Sequence, residues 1–140
     1  MKIEELSVGN LVSYRGEIYS IFSITNSETI RLYDYIFGIF SCHVDELDPI
    51  KLTEELLINN GFIHDTESEV AYHNESIFLN GFNNQISFHN SQDYINSDNL
   101  WRVHIDNVDY NSICNCELSY VHEFQNLCSL LKLEFKLTII

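Results

Sequence analysis

Residues 10–24, "NLVSYRGEIYSIFSI", decide how the chain begins to fold. Two runs of apolar, β-branched and aromatic residues, "NLVSY" and "EIYSIFSI", flank Arg15-Gly16. A two-residue, glycine-containing link between such runs predicts a β-hairpin. Downstream, "TNSE" (25–28) reads as a second turn and leads into "TIRLYDYIFGIFSCHV" (29–44). There Ile30 and Leu32 share one face of a strand, while Tyr33, Tyr35 and Phe37 share the other until Gly38 interrupts the pattern. Four or five short strands with tight turns over residues 6–48 predict a small, curled SH3-like β-barrel. Sites on such barrels vary so widely that the fold alone names no function.

Pro49 punctuates the chain and suggests a boundary between a barrel subdomain, 1–49, and an α+β subdomain, 50–140. "KLTEELLINNGF" (51–62) predicts a helix over about 53–60. Thr53 is its natural N-cap, Glu54 and Glu55 suit the positive end of the dipole, Leu52 can staple to Leu57, and Gly61 ends it. Residues 63–100 are polar and Asn-rich, with candidate strands at "VAYH" (70–73), "SIFLN" (76–80) and "QISFHN" (85–90). In "LWRVHID" (100–106), Trp101, Val103 and Ile105 alternate with Arg102, His104 and Asp106, the period of a half-buried antiparallel strand. "NVDYNS" (107–112) is the turn, "ICNCEL" (113–118) the returning strand, and a C-terminal helix follows over about 120–133. The second half therefore reads as an antiparallel sheet with two helices.

Composition narrows the function classes. In 140 residues, 45% hydrophobic and 13% aromatic content is too much apolar surface for a disordered chain. The opening "MKIEELSVGN" has acids where a signal peptide needs basic and apolar residues, and no run approaches the roughly 18 apolar residues of a membrane span. A cytoplasmic chain with no membrane contact is the expectation, and its four cysteines are then expected as thiols. With 21 Asp and Glu against seven Lys and Arg, the formal net charge of −14 would repel a polyanion, so direct nucleic-acid binding is disfavoured. Such an excess keeps an apolar-rich chain soluble. The sharper reading is an acidic face that meets a basic partner by imitating nucleic acid.

The segment "CNCELSYVHEFQNLCSLLKL" (114–133) gathers three cysteines and a His-Glu pair. C-x-C is not the usual zinc-knuckle spacing, and His122 and Cys128 lie about 120° apart around a helix and about 9 Å along it. They do not readily meet on one ion. Cys42 and His43, as neighbours on a strand, face opposite ways. Val121, Phe124, Cys128 and Leu131 form one apolar stripe, widened by Leu127, which makes Cys128 a core residue. Cys114 and Cys116 remain as the alternative, a small thiol- or zinc-dependent protein, but no glycine-rich elbow accompanies them. Neither catalytic residues, metal ligands nor a cofactor is assigned. The helix's other face carries His122, Glu123, Gln125, Asn126 and Ser129, with Ser119 as N-cap. It is expected to be solvated or, through His122, Gln125 and Asn126, to contact a partner protein. Homo-oligomerisation stays open.

Three stretches resemble a known family. "LSVGNLVSYRGEIYSI" (6–21), "PIKLTEELLINNGF" (49–62) and "CELSYVHEFQNLCSLL" (116–131) are similar, in this order, to the opening, the "LTEExLxxxGF" segment and the "YVHxxQNL" ending of short bacterial proteins common in prophages and mobile elements. That family has no established activity. The resemblance implies an accessory or host-modulating protein of a phage or mobile element. Cys128 stands where the family usually has Tyr, so a cysteine mechanism would not carry over.

Overall fold

The computed structural model describes residues 1–64, 76–81, 84–90, 100–107, 111–133 and 135–139. Its class is α+β: two five-stranded antiparallel sheets and two α-helices among the described residues. The chain divides into two compact units, Met1–Lys51 with Tyr120–Lys136, and Leu52–Ser119 with Leu137–Ile140.

In the first unit, β1 (Leu11–Tyr14), β2 (Glu17–Ile24), β3 (Thr29–Asp34), β4 (Gly38–His43) and β5 (Leu47–Asp48) lie in the order β4-β3-β2-β1-β5. The first hairpin pairs Tyr14 with Glu17 and turns on Arg15 (φ 53°) and Gly16 (φ 86°). Two successive left-handed residues match the twist of the flanking strands, a conformation natural to Gly and costlier for Arg. In the second turn, Asn26 Oδ1 accepts from the N–H groups of Glu28 and Thr29, both at 2.9 Å. The third differs from the sequence expectation. Asp34 Oδ1 accepts from Ile36 N (2.6 Å) and Phe37 N (2.7 Å), which ends β3 and puts Tyr35 and Phe37 in a turn rather than on a strand face. A 3-10 turn, Val44–Glu46, returns the chain so that Leu47 pairs with Tyr14.

The sheet stays open. β4 and β5 are its two edges and do not pair, so a closed barrel is not formed. Its inner face buries Val12, Ile21, Ile30, Leu32, Cys42 and Leu47, with Leu6 and Val44 beside them. Tyr14, Tyr19 and Phe40 extend this core, their ring centroids 5.3–6.2 Å apart. Each fully buried aliphatic chain contributes about 1.5–3 kcal/mol by leaving water.

Helix α2 (Val121–Leu130) belongs to this unit, not to the 50–140 subdomain expected from the sequence. The reason is hydrogen bonding: Lys51 bridges Tyr120, and Val121 N donates to Ile50 O at 2.9 Å. The N-cap is Tyr120 rather than Ser119, and Glu123 Oε2 reaches back to accept from Tyr120 N at 2.9 Å. The far end closes in a Schellman motif. Leu133 N donates to Cys128 O and Lys132 N to Ser129 O, with Lys132 at φ 54° where Gly is usual.

The second unit holds α1 (Glu54–Asn59), β6 (Ile63–His64), β7 (Ser76–Gly81), β8 (Asn84–Asn90), β9 (Trp101–Asn107) and β10 (Ser112–Leu118), a meander ordered β10-β9-β8-β7-β6. Thr53 caps α1 by accepting from Leu56 N at 3.2 Å, Leu52 and Leu57 are fully buried, and Gly61 follows the helix at φ 91°. On β9, Trp101, Val103 and Ile105 are buried, as the alternation requires. Trp101 Nε1 donates to Leu52 O at 2.6 Å, and the Phe62, Phe88 and Trp101 rings meet edge to face. The strand expected at 70–73 and residues 108–110 of the expected 107–112 turn lie outside the described residues. No described helix is long and apolar enough to cross a membrane.

Candidate functional site

The polar face of α2 is partly engaged within the protein: Ser129 is exposed, while Glu123, Gln125 and Asn126 are half-buried. Gln125 Oε1 accepts from Leu11 N at 2.9 Å. Asn126 Oδ1 accepts from Asn10 Nδ2 at 2.9 Å, and Asn126 Nδ2 donates to Glu5 O at 2.8 Å. Asn10 is itself buried, and its Oδ1 accepts from Ser7 N at 2.7 Å. Gln125 and Asn126 thus contact the chain's own N-terminal segment. Helical periodicity identifies a polar face but cannot say whether backbone donors wait opposite it.

His122 departs further. It is 2% exposed, its ring lies parallel to Tyr120 at 5.8 Å, and Nδ1 is buried without a hydrogen-bond partner among the described residues. Burial holds its pKa below the usual imidazole value, against the opposing pull of Glu123 and Glu5 and with a smaller push from the terminal amine. A neutral imidazole with an orphaned nitrogen costs about 1–3 kcal/mol. Lys2, Glu5, Pro49, Tyr120, His122 and Glu123 line a cleft of about 300 Å3 beside it. Both carboxylates already accept backbone N–H groups, Glu123 from Tyr120 and Glu5 from Lys2. No serine, threonine or cysteine stands among the described lining residues.

The larger feature is one that the sequence reading passed over. Eight of the twelve exposed large apolar side chains among the described residues fall between Ile18 and Ile39. Ile18 and Phe22 on β2, Tyr33 on β3 and Ile39 on β4 point away from the core, and Tyr33 pairs directly with Ile39. At the β3–β4 turn, Tyr35, Ile36 and Phe37 are 91%, 78% and 85% exposed. The Arg31 guanidinium covers the Phe22 ring at 5.8 Å. The signal was present in the sequence as apolar residues on both faces of one strand. An SH3-like reading absorbed it without asking what covers the outer face.

The cysteines divide. Cys42 and Cys128 are buried, and burial raises both thiols, Cys128 to about 12, a setting that suppresses thiolate chemistry. Cys114 and Cys116 are half-buried on β10. Among the described residues no group of three or more His, Cys, Asp or Glu is arranged to hold a metal ion.

Comparison of the chain with protein-family models, with curated proteins and with solved structures finds no match.

Proposed function

We propose that the chain is a non-enzymatic protein-interaction module whose contact surface is the outer face of β2, β3 and β4 with the Tyr35–Phe37 turn. The observation that carries this reading is the concentration of uncovered aromatic and aliphatic side chains there, on a sheet whose other face already supplies the core. Contiguous exposed apolar surface of this kind marks interaction sites, and aromatic residues are enriched in them. The occupant is a protein with an apolar centre and a basic rim. A net charge of −14 attracts such a surface and repels a second copy of this chain. The order β4-β3-β2-β1-β5, with β5 recrossing β1 after a 3-10 turn, supports an SH3-like relationship short of closure. The resemblance to mobile-element proteins suggests a bacterial partner in the cytoplasm and an accessory or host-modulating role.

The test compares the wild type with a Tyr35→Ser, Ile36→Ser, Phe37→Ser variant as bait in a bacterial lysate, with sedimentation of both. The reading expects a basic protein held by the wild type and lost by the variant, with both baits monomeric. Identical captures would contradict it, as would wild-type self-association abolished by the variant, which would give the face to a second copy.

A further inference from the structure

Cys114 and Cys116 occupy alternate positions of β10, an edge strand, so their side chains emerge on the same face of the sheet. They stand opposite Ile105 and Val103 in the pairing with β9, and their Sγ atoms are 3.6 Å apart.

Two chemistries use neighbouring thiols, and the geometry separates them. A disulfide needs sulfurs about 2.04 Å apart on Cα atoms usually no more than about 6.8 Å apart. Alternate residues of an extended strand sit about 6.6–6.8 Å apart, at that limit, and pairing with β9 from Cys114 to Leu118 holds the strand extended. Oxidation would therefore have to pull the strand out of shape. A centre with bonds to sulfur of about 2.3 Å, at angles from about 95° for a pyramidal trivalent atom to about 109° for a tetrahedral ion, spaces two sulfurs about 3.4–3.8 Å apart, a range that includes the separation already present. Chelation requires almost no movement.

We infer that Cys114 and Cys116 form a preorganised two-thiolate site for a soft, thiophilic centre, in particular a trivalent metalloid of the arsenic type. Such a centre is satisfied by two sulfurs and one group of its own, whereas an ion seeking four protein ligands finds no third one here among the described residues. With phenylarsine oxide as the probe, the step balances without oxidant or reductant. Two S–H bonds and the arsenic–oxygen bond break, two As–S bonds form, and the oxygen leaves as water with both thiol protons. The inference is independent of the docking face.

The experiment adds one equivalent of phenylarsine oxide to the folded protein, then challenges the adduct with excess glutathione, reading bound arsenic by native mass spectrometry. The expected result is a single adduct, two accessible thiols lost, and release slower by about 100-fold or more than from Cys114→Ser or Cys116→Ser, which hold arsenic through one bond. Unfolding in urea should speed release. Wild-type adduct stripped as fast as that of the single variants would overturn the inference, as would arsenic found on Cys42 or Cys128, or retention unchanged in urea.

Discussion

The two sheets share a strand count and antiparallel pairing, yet they treat polarity in opposite ways. In the second unit β9 follows the usual rule: Trp101, Val103 and Ile105 are buried, while the far side of β9 and β10 pairs Arg102 with Glu117 at 3.4 Å and His104 with Asp106 at 2.9 Å, and on β10 Ile113 alone among the described large apolar side chains is exposed. In the first unit, apolar side chains such as Phe22, Tyr33 and Phe37 are outside. The polar residues Asn10 and His122 are inside. Folding alone explains the second pattern. The first needs another reason for keeping aromatic surface in water, and the proposed partner would supply it.

Truncating inner-face residues should break both sheets alike. Trp101→Ala, which removes a fully enclosed indole and orphans Leu52 O, should cost about 3–5 kcal/mol, and Leu32→Ala about 2–5 kcal/mol, read as a lower urea midpoint. The next residue along β3 sharpens the contrast, because Tyr33→Ser should change stability by less than about 0.5 kcal/mol while weakening partner capture. If Tyr33→Ser proved as damaging as Leu32→Ala, the outer face would belong to the fold.

The buried polar groups come next in size. Asn126→Ala leaves Asn10 Nδ2 and Glu5 O without their acceptor and donor and should cost about 1–2 kcal/mol. His122 has its folded pKa depressed, so the unfolded chain takes up the proton first as pH falls. Its neutral form is favourable to folding above the free value of about 6.5. That contribution is lost as pH drops from there towards the depressed folded value. Denaturation curves between pH 7.5 and pH 5 should show this loss, and His122→Leu should flatten it while leaving stability at pH 7.5 equal or higher. A variant with the unchanged slope would place the titration elsewhere. The smallest effect belongs to the second unit's surface: Arg102→Ala should cost under about 0.5 kcal/mol and less in high salt, because Arg102 and Glu117 are both half-exposed.

Local rules carried much of the fold. The Arg15-Gly16 hairpin, the Asn26 turn, Thr53 as cap, Gly61 as stop and the β9 alternation all depend on neighbours in sequence, and a reader of the chain can see them. Distant pairings stayed hidden. Nothing near Gln125 or Asn126 announces that Leu11 N and Asn10 wait for them more than a hundred residues earlier, and so neither these hydrogen bonds nor the grouping of α2 with Met1–Lys51 was legible. The cleft beside His122 was invisible for the same reason, since its walls come from the chain's beginning, from Pro49 and from α2. Cys114 and Cys116 were legible as a same-face pair, but only coordinates give the sulfur separation that favours chelation over a disulfide.

The central claim, that the outer face of β2–β4 is a docking surface, is tested most directly by site-specific photo-crosslinking. A benzophenone amino acid at position 37, on the apolar turn, is compared with one at position 102, on the polar outer face of the second sheet, under the same illumination in a bacterial cell. The account predicts a discrete crosslinked species containing a basic protein from position 37 and none from position 102. Equal crosslinking at both positions, or none at position 37, would contradict it.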